Sequence, residues 1–163
     1  PAQTRLGYIL DKAEMNAEAA AWFRKAAQQD YAEAQVELSR LYSAGEGVDQ
    51  DLEVARLWLE KAVDQGSLDA LRQKAMNRIR GAIAYSKDTE AGVALLRRAA
   101  KEGDTWALER LAMAYRNGDW HLGRDPGKAA HFEKLLEEKR EEGQAADGGE
   151  NGSESGEKGE GKK

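Results

Sequence analysis

The sequence predicts an all-α protein assembled from helix hairpins that stack on one another, and three observations carry that prediction. Apolar residues recur at steps of three and four, the stripe of a helix with 3.6 residues per turn. Ala55, Trp58, Leu59, Ala62 and Val63 form one such stripe, and Ala34, Leu38, Leu41 and Tyr42 form another. Gly45-Glu46-Gly47-Val48 separates the two as a loop, and Gly66 stops the second. The pattern then starts again, with Ala70 standing where Ala34 stood.

A fixed period confirms the restart. Leu95, Leu96, Arg98, Ala99, Ala100, Gly103 and Ala107 repeat Trp58, Leu59, Lys61, Ala62, Val63, Gly66 and Ala70 at an offset of 37 residues. Ala107, Leu111, Tyr115 and Gly118 repeat Ala34, Leu38, Tyr42 and Gly45, and Asp125, Ala129 and Phe132 match Asp51, Ala55 and Trp58 with one residue inserted. Upstream, Ala2 and Leu6 precede Ala34 and Leu38 by a shorter spacing of 32 residues. Four units result, spanning approximately 2–33, 34–69, 70–106 and 107–142.

In chain order, residues 2–10 predict a short first helix and 17–29 its partner, with Ala19, Trp22, Phe23, Ala26 and Ala27 inward. Asp30 stands in for the terminating glycine, since Asp tolerates the left-handed conformation. Asp49 or Asp51 caps the fourth helix through its carboxylate, and Lys61 suits that helix's negative end. Ser67 caps a helix expected over 67–85, whose Leu71, Ala75, Ile79 and Ile83 step by four amid Arg72, Lys74, Arg78 and Arg80, a basic and solvated ridge. Asp88 or Thr89 caps the sixth helix and Asp104 or Thr105 the seventh. The last opens near Asp125-Pro126, because proline is well placed at the first helical position, and turns wholly polar beyond Leu136, as a solenoid terminus must.

Residues 143–163 hold seven glycines and no aromatic or branched aliphatic side chain. They cannot bury enough surface to offset the entropy of ordering, so a disordered Gly/Glu/Ser/Lys tail is expected. Within the repeats, one hairpin buries about two large side chains per helix at roughly 1.5–3 kcal/mol each, against about 1–2 kcal/mol per residue ordered. A single unit therefore does not fold alone. The small residues Ala34, Ala55, Ala62, Ala70, Ala99 and Ala107 are expected where helices approach closely, with Trp22, Trp58 and Phe132 as core at one repeat position.

The set Ala34, Leu38, Tyr42, Gly45, Gly47-Val48, Asp51, Ala55, Trp58, Lys61-Ala62 and Gly66-x3-Ala70 resembles the signature of the Sel-one-like repeat family, a relative of the tetratricopeptide repeats. The resemblance covers roughly residues 2–140. Unit one lacks the glycine loop, unit three has Lys74 and Arg78 where leucine and tyrosine are expected, and unit four carries Asp119-Trp120-His121-Leu122 as an insertion. The resemblance implies a right-handed α/α superhelix acting as a protein-binding scaffold, and it implies no chemistry.

It also implies that the first helix of each pair lines a concave side. Two and six residues past each opening alanine stand Thr4 and Tyr8, Val36 and Arg40, Arg72 and Met76, and Glu109 and Met113. That column suits a peptide or a helix of a partner protein, methionines packing adaptably and arginines pairing with carboxylates. Trp120 either anchors a partner from its loop or folds back over the fourth unit.

Other chemistries find little support. A net charge of -5 removes the usual electrostatic driving force for nucleic acid. No cysteine is present, which excludes disulfides and thiolate metal sites without fixing the compartment. No apolar run approaches the about 18 residues of a membrane span. His121 and His131, with Asp119 and Asp125 nearby, lack the spacing that aims two imidazoles at one metal ion, so no cofactor is expected. In the tail, Ser155-Gly-Glu-Lys158 and Gly156-x4-Gly161-Lys162 resemble catalytic and phosphate-loop spacings without rigid support, and Asn151-Gly-Ser153 is a glycosylation sequon. The abrupt opening at Pro1 inside a helical pattern points to a processed or cropped chain, with an export signal or further repeats upstream. The expected function is thus a non-catalytic adaptor. Two alternatives stand beside it: an architectural subunit that self-associates in a larger array or envelope complex, and a hydrolase of cell-wall-related substrates, for which the folded part offers no nucleophile-base pair.

Overall fold

The computed structural model describes residues 2–148, and every regular element among them is helical. Eight α-helices follow in order: α1 (Ala2–Lys12), α2 (Asn16–Ala27), α3 (Ala32–Ala44), α4 (Leu52–Asp64), α5 (Leu68–Arg80), α6 (Thr89–Lys101), α7 (Thr105–Asn117) and α8 (Pro126–Gly148). A short 3-10 turn, Asp119–His121, sits between the last two. Each helix packs chiefly against the next in sequence, so the hairpins α1/α2, α3/α4, α5/α6 and α7/α8 stack in chain order.

Local chemistry sets the boundaries. Asp51, Ser67, Asp88, Asp104 and Asp125 each accept a hydrogen bond from a free amide of the following first turn, at 2.7–3.2 Å. The odd-numbered helices α3, α5 and α7 end at Gly45, Gly81 and Gly118 in the left-handed region. Gly66 and Gly103 turn the chain after α4 and α6, and Asp30 does the same after α2 with φ of 62°.

Small residues set the spacing of the stack. Ala34, Ala55, Ala62, Ala70, Ala99 and Ala107 are all fully buried, as their recurrence in the sequence predicts. Gly92 shows why: a Cβ there would lie 2.5 Å from Cγ1 of Ile79 and 2.7 Å from the Ala75 carbonyl, so α6 crosses α5 nearly in backbone contact. The aliphatic and aromatic core falls into two clusters. One joins units one and two around Phe23, Leu38 and Leu41, and the other runs from Val36 and Leu59 to Leu111 and Leu136.

Four sequence expectations are corrected. The helix expected to reach residue 85 stops at Arg80, because Gly81 takes φ of 72° and Ile83 and Ala84 follow at 51° and 54°; the Asp88 amide then donates to the Arg78 carbonyl at 2.7 Å, closing the loop. Ile83 therefore leaves the helical stripe. The ridge expected to be solvated is largely engaged. Lys74 pairs with Glu60 at 2.5 Å, Arg72 with Asp69 and Asp104, and Arg78 lies over the Tyr85 ring; of the four, Arg80 alone is exposed.

Trp22, Trp58 and Phe132 are half-buried; after Trp22 and Trp58 the next residues, Phe23 and Leu59, point inward instead, and Phe132 stacks on the Tyr115 ring at 5.8 Å. Lys25 and Lys61 lie 4.3 and 5.4 Å from the Trp22 and Trp58 ring centres, capping the outward faces. The segment Asp119–Leu122 inserts nothing relative to unit three. From the glycine cap to the aspartate cap, Gly81 to Asp88 and Gly118 to Asp125 have equal length, and Ile83-Ala84 and Trp120-His121 share one left-handed backbone path. In unit two, with one residue fewer, Gly47 opens that path.

At the far end α8 continues to Gly148, past Gly143 where composition predicts loss of order. The motifs at Asn151, Ser155 and Gly156 lie outside the described residues.

Candidate functional site

The column predicted from the repeat splits in two. Its N-terminal members serve the stack. Thr4 and Val36 are buried and line no surface, because position two of the column turns inward in the first two units. Tyr8 meets Phe23 edge to face at 5.2 Å and donates its hydroxyl proton to Oε1 of Glu37 at 3.2 Å. Burial, followed by the charges of Glu37 and Glu33, pushes its phenol well above the ordinary range. Arg40 donates from Nε to Glu37 at 2.9 Å, from Nη1 to Glu46 at 2.5 Å and from Nη2 to Asp11 at 2.8 Å. Desolvation opposes its charge, but the three carboxylates outweigh it and hold the guanidinium more firmly protonated than usual. This arginine is a clasp between α1, α3 and the following loop.

The C-terminal members face outward. Arg72 and Met76 line a groove of about 420 Å³ together with Asp69, Gln73, Asn77, Arg80 and Trp106. Trp106, at the start of α7, sits with its ring 5.7 Å from the Arg72 guanidinium and 5.1 Å from that of Arg110. Arg72 is also tied to Asp69 at 2.8 Å and, across units, to the buried cap Asp104 at 3.4 Å. Further along α7, Glu109 and Met113 are exposed, Met113 to 44%.

Trp106 was not among the sequence candidates, yet it carries a signal. Its column reads Glu33, Asp69, Trp106 in the last three units, an aromatic where units two and three put an exposed acid. Trp120 folds back. It packs partly buried against the second core cluster and borders a separate cavity of about 450 Å³ with Thr89, Glu90, Val93, Arg97, His121 and Leu122. Among the described residues, no group of three or more His, Asp or Glu side chains converges as a metal-binding set. No described helix is long and apolar enough to cross a membrane.

Hairpins that stack in sequence order define an α-solenoid repeat protein. The comparisons agree. The Sel1 repeat model matches residues 16–31, 32–67, 80–104 and 107–132, more than half of the chain, and the chain belongs to the Sel1 repeat family. It is similar to a Sel1 repeat protein from Oxalobacter formigenes, with TM-score 0.72 and 27% identity over 84% of this chain and 57% of that one. It is also similar to c5321, a protective antigen of uropathogenic Escherichia coli with the same fold, with TM-score 0.70 and 25% identity over 94% of this chain and 35% of that one. The chain thus spans about half or less of the structures it matches. Among curated proteins, none matches it significantly. Sel1 repeat proteins generally mediate protein–protein interaction and are typically non-catalytic.

Proposed function

We propose that this protein is a non-catalytic adaptor that holds a partner protein against the face formed by the first helices of its units, with the contact centred on α5 and α7. The observation that supports this most is the groove of Arg72, Met76 and Trp106, where a flexible thioether and a large aromatic ring stand at the surface beside a guanidinium held by Asp69 and Asp104. Such residues dominate binding energy when a partner desolvates them. Glu109 and Met113 extend the same face along α7. Tyr8, Val36 and Arg40 contribute by holding α1 and α3 in place, and touch no partner.

Affinity capture from cells that make the protein tests the reading. Wild type is compared with a variant carrying Met76→Ala, Trp106→Ala and Met113→Ala, its helicity checked by circular dichroism. Loss of the captured partner is expected. Undiminished capture by the folded variant means that another face binds.

A further inference from the structure

We propose that the groove between α5 and α7 takes an acidic peptide segment, its carboxylates seated on Arg80 and Arg110 and an apolar side chain laid on Met76 and Trp106. This rests on the adaptor reading and adds the chemistry of the occupant.

Arg72, Met76 and Arg80 are spaced by four on α5, so they lie one above another along the groove that Trp106 borders. Two cations, Arg72 and Arg110, lie against the tryptophan ring and a third, Arg80, lines the same groove, and the three differ in how far they are already satisfied. Arg72 is neutralised by Asp69 and Asp104. Arg80 and Arg110 are exposed and make no ion pair among the described residues, Arg110 meeting the Trp106 ring instead. A guanidinium that rests on an aromatic ring keeps its donor edge free for a carboxylate, which it binds in bidentate fashion.

The rest of the molecule favours the same placement. Residues 2–69, the first two units, hold seven Lys or Arg against thirteen Asp or Glu, and residues 70–142, the last two, hold fifteen against twelve. Over α1 and α3, the one cation of the column, Arg40, is surrounded by three carboxylates, leaving that stretch negative. An anionic segment is therefore repelled from the first two units and drawn to the last two, with contrast strongest within a Debye length. Asp69 and Asp104, beside the groove, oppose a polyphosphate more than a peptide with spaced carboxylates.

Fluorescence anisotropy with a labelled peptide of alternating Glu and Leu tests this on the full chain, beside the Lys-for-Glu peptide and a single-stranded oligonucleotide. Saturable binding of the acidic peptide is expected, weakened about tenfold by Arg80→Glu with Arg110→Glu. The same charge change at Arg5 and Lys12, exposed on α1, is expected to leave the affinity within about twofold. Equal binding of the basic peptide, tighter binding of the oligonucleotide, or an equal loss in the Arg5/Lys12 variant overturns the proposal. If the acidic peptide fails to bind while the Met76, Trp106 and Met113 variant still loses the captured partner, the acidic assignment falls and the adaptor face stands. If that variant keeps its partner, the face itself is wrong.

Discussion

Arg24 of α2 donates a 2.9 Å hydrogen bond from Nη2 to the hydroxyl of Tyr42 in α3, and Arg97 of α6 donates the same bond to Tyr115 in α7, both pairs 18 residues apart. The bond fastens the second helix of one unit to the first helix of the next. Between them, the joint of units two and three breaks the column, with Glu60 of α4 at the arginine position and Arg78 of α5 at the tyrosine position. Tyr85 arrives from the following loop to restore the joint, donating its hydroxyl proton to Glu60 at 2.8 Å, while Lys74 pairs with the other carboxylate oxygen.

Removing one phenolic hydroxyl therefore loosens one joint. Tyr42→Phe and Tyr115→Phe are each expected to lower stability by about 0.5–1.5 kcal/mol, because each arginine head regains water when its partner is lost. Urea titration of the two single variants and the double variant measures this, with the losses adding for sites in separate joints.

The core position of the second helices is occupied by Leu59, and Trp58 covers it. Leu59→Ala is expected to cost about 2–5 kcal/mol, the range for a buried leucine truncated in place. Trp58→Ala is expected to cost less than about 3 kcal/mol, the lower end for a fully buried aromatic. A larger loss at Trp58 than at Leu59 in the same titration contradicts this assignment.

Among the described residues, four loops hold non-glycine residues in the left-handed region, two of them two in succession, and this reverses the usual effect of a substitution. Ala84, exposed at φ of 54°, is expected to gain about 0.5–1 kcal/mol on mutation to glycine, because relief of a roughly 1–2 kcal/mol backbone penalty outweighs the entropy glycine adds to the unfolded chain. The opposite holds at Gly47, where a Cβ would run into the Asn16 carbonyl at the start of α2, and at Gly92. Gly92→Ala is expected to destabilise by about 1–3 kcal/mol through overpacking, despite alanine's better helix propensity. Thermal melts of the three variants give the signs.

Alkaline pH should open the joints selectively. Burial, then the hydrogen bond to Glu60 and its charge, raises the Tyr85 phenol well above its ordinary value, and Tyr8 is raised by burial and Glu37. In the unfolded chain both ionise near 10. Their contribution is complete below that value and is lost as pH climbs through the raised folded values, since only the folded state retains the protons. Stability measured from pH 8 to 12 should fall past about 10, and Tyr85→Phe should flatten the fall. At the acid end the Asp125 carboxyl, held low by the Lys128 amide and then its ammonium group, loses its capping contribution as pH drops through that lowered value, and Asp125→Asn should remove this dependence.

The repeat made most of the fold legible. The cap at Ser67, those at Asp51, Asp88 and Asp104 to within two residues, the opening of the last helix at Asp125-Pro126, and the alanine contacts are local or strictly periodic, and periodicity survives in one dimension. What escaped depends on partners distant in the chain. Thr4 and Val36 looked like surface by counting, yet they turn inward. Arg40 looked free because Asp11 lies 29 residues away. Gln35, wholly buried, is tolerated because its amide donates to the Ala27 carbonyl at 3.1 Å and its oxygen accepts from Gln65 at 2.9 Å, a closed circuit with no trace in hydropathy. Trp106 was overlooked because the column was counted forward from the alanine that follows it.

A photocrosslinking side chain placed at position 76 on α5, against one at Leu57 on α4, 59% exposed on a second helix, tests most directly whether the first-helix face is the binding surface. Irradiation in cells that make the protein should join the partner to position 76 and leave position 57 unlinked. Crosslinking from position 57 with none from position 76 contradicts the account.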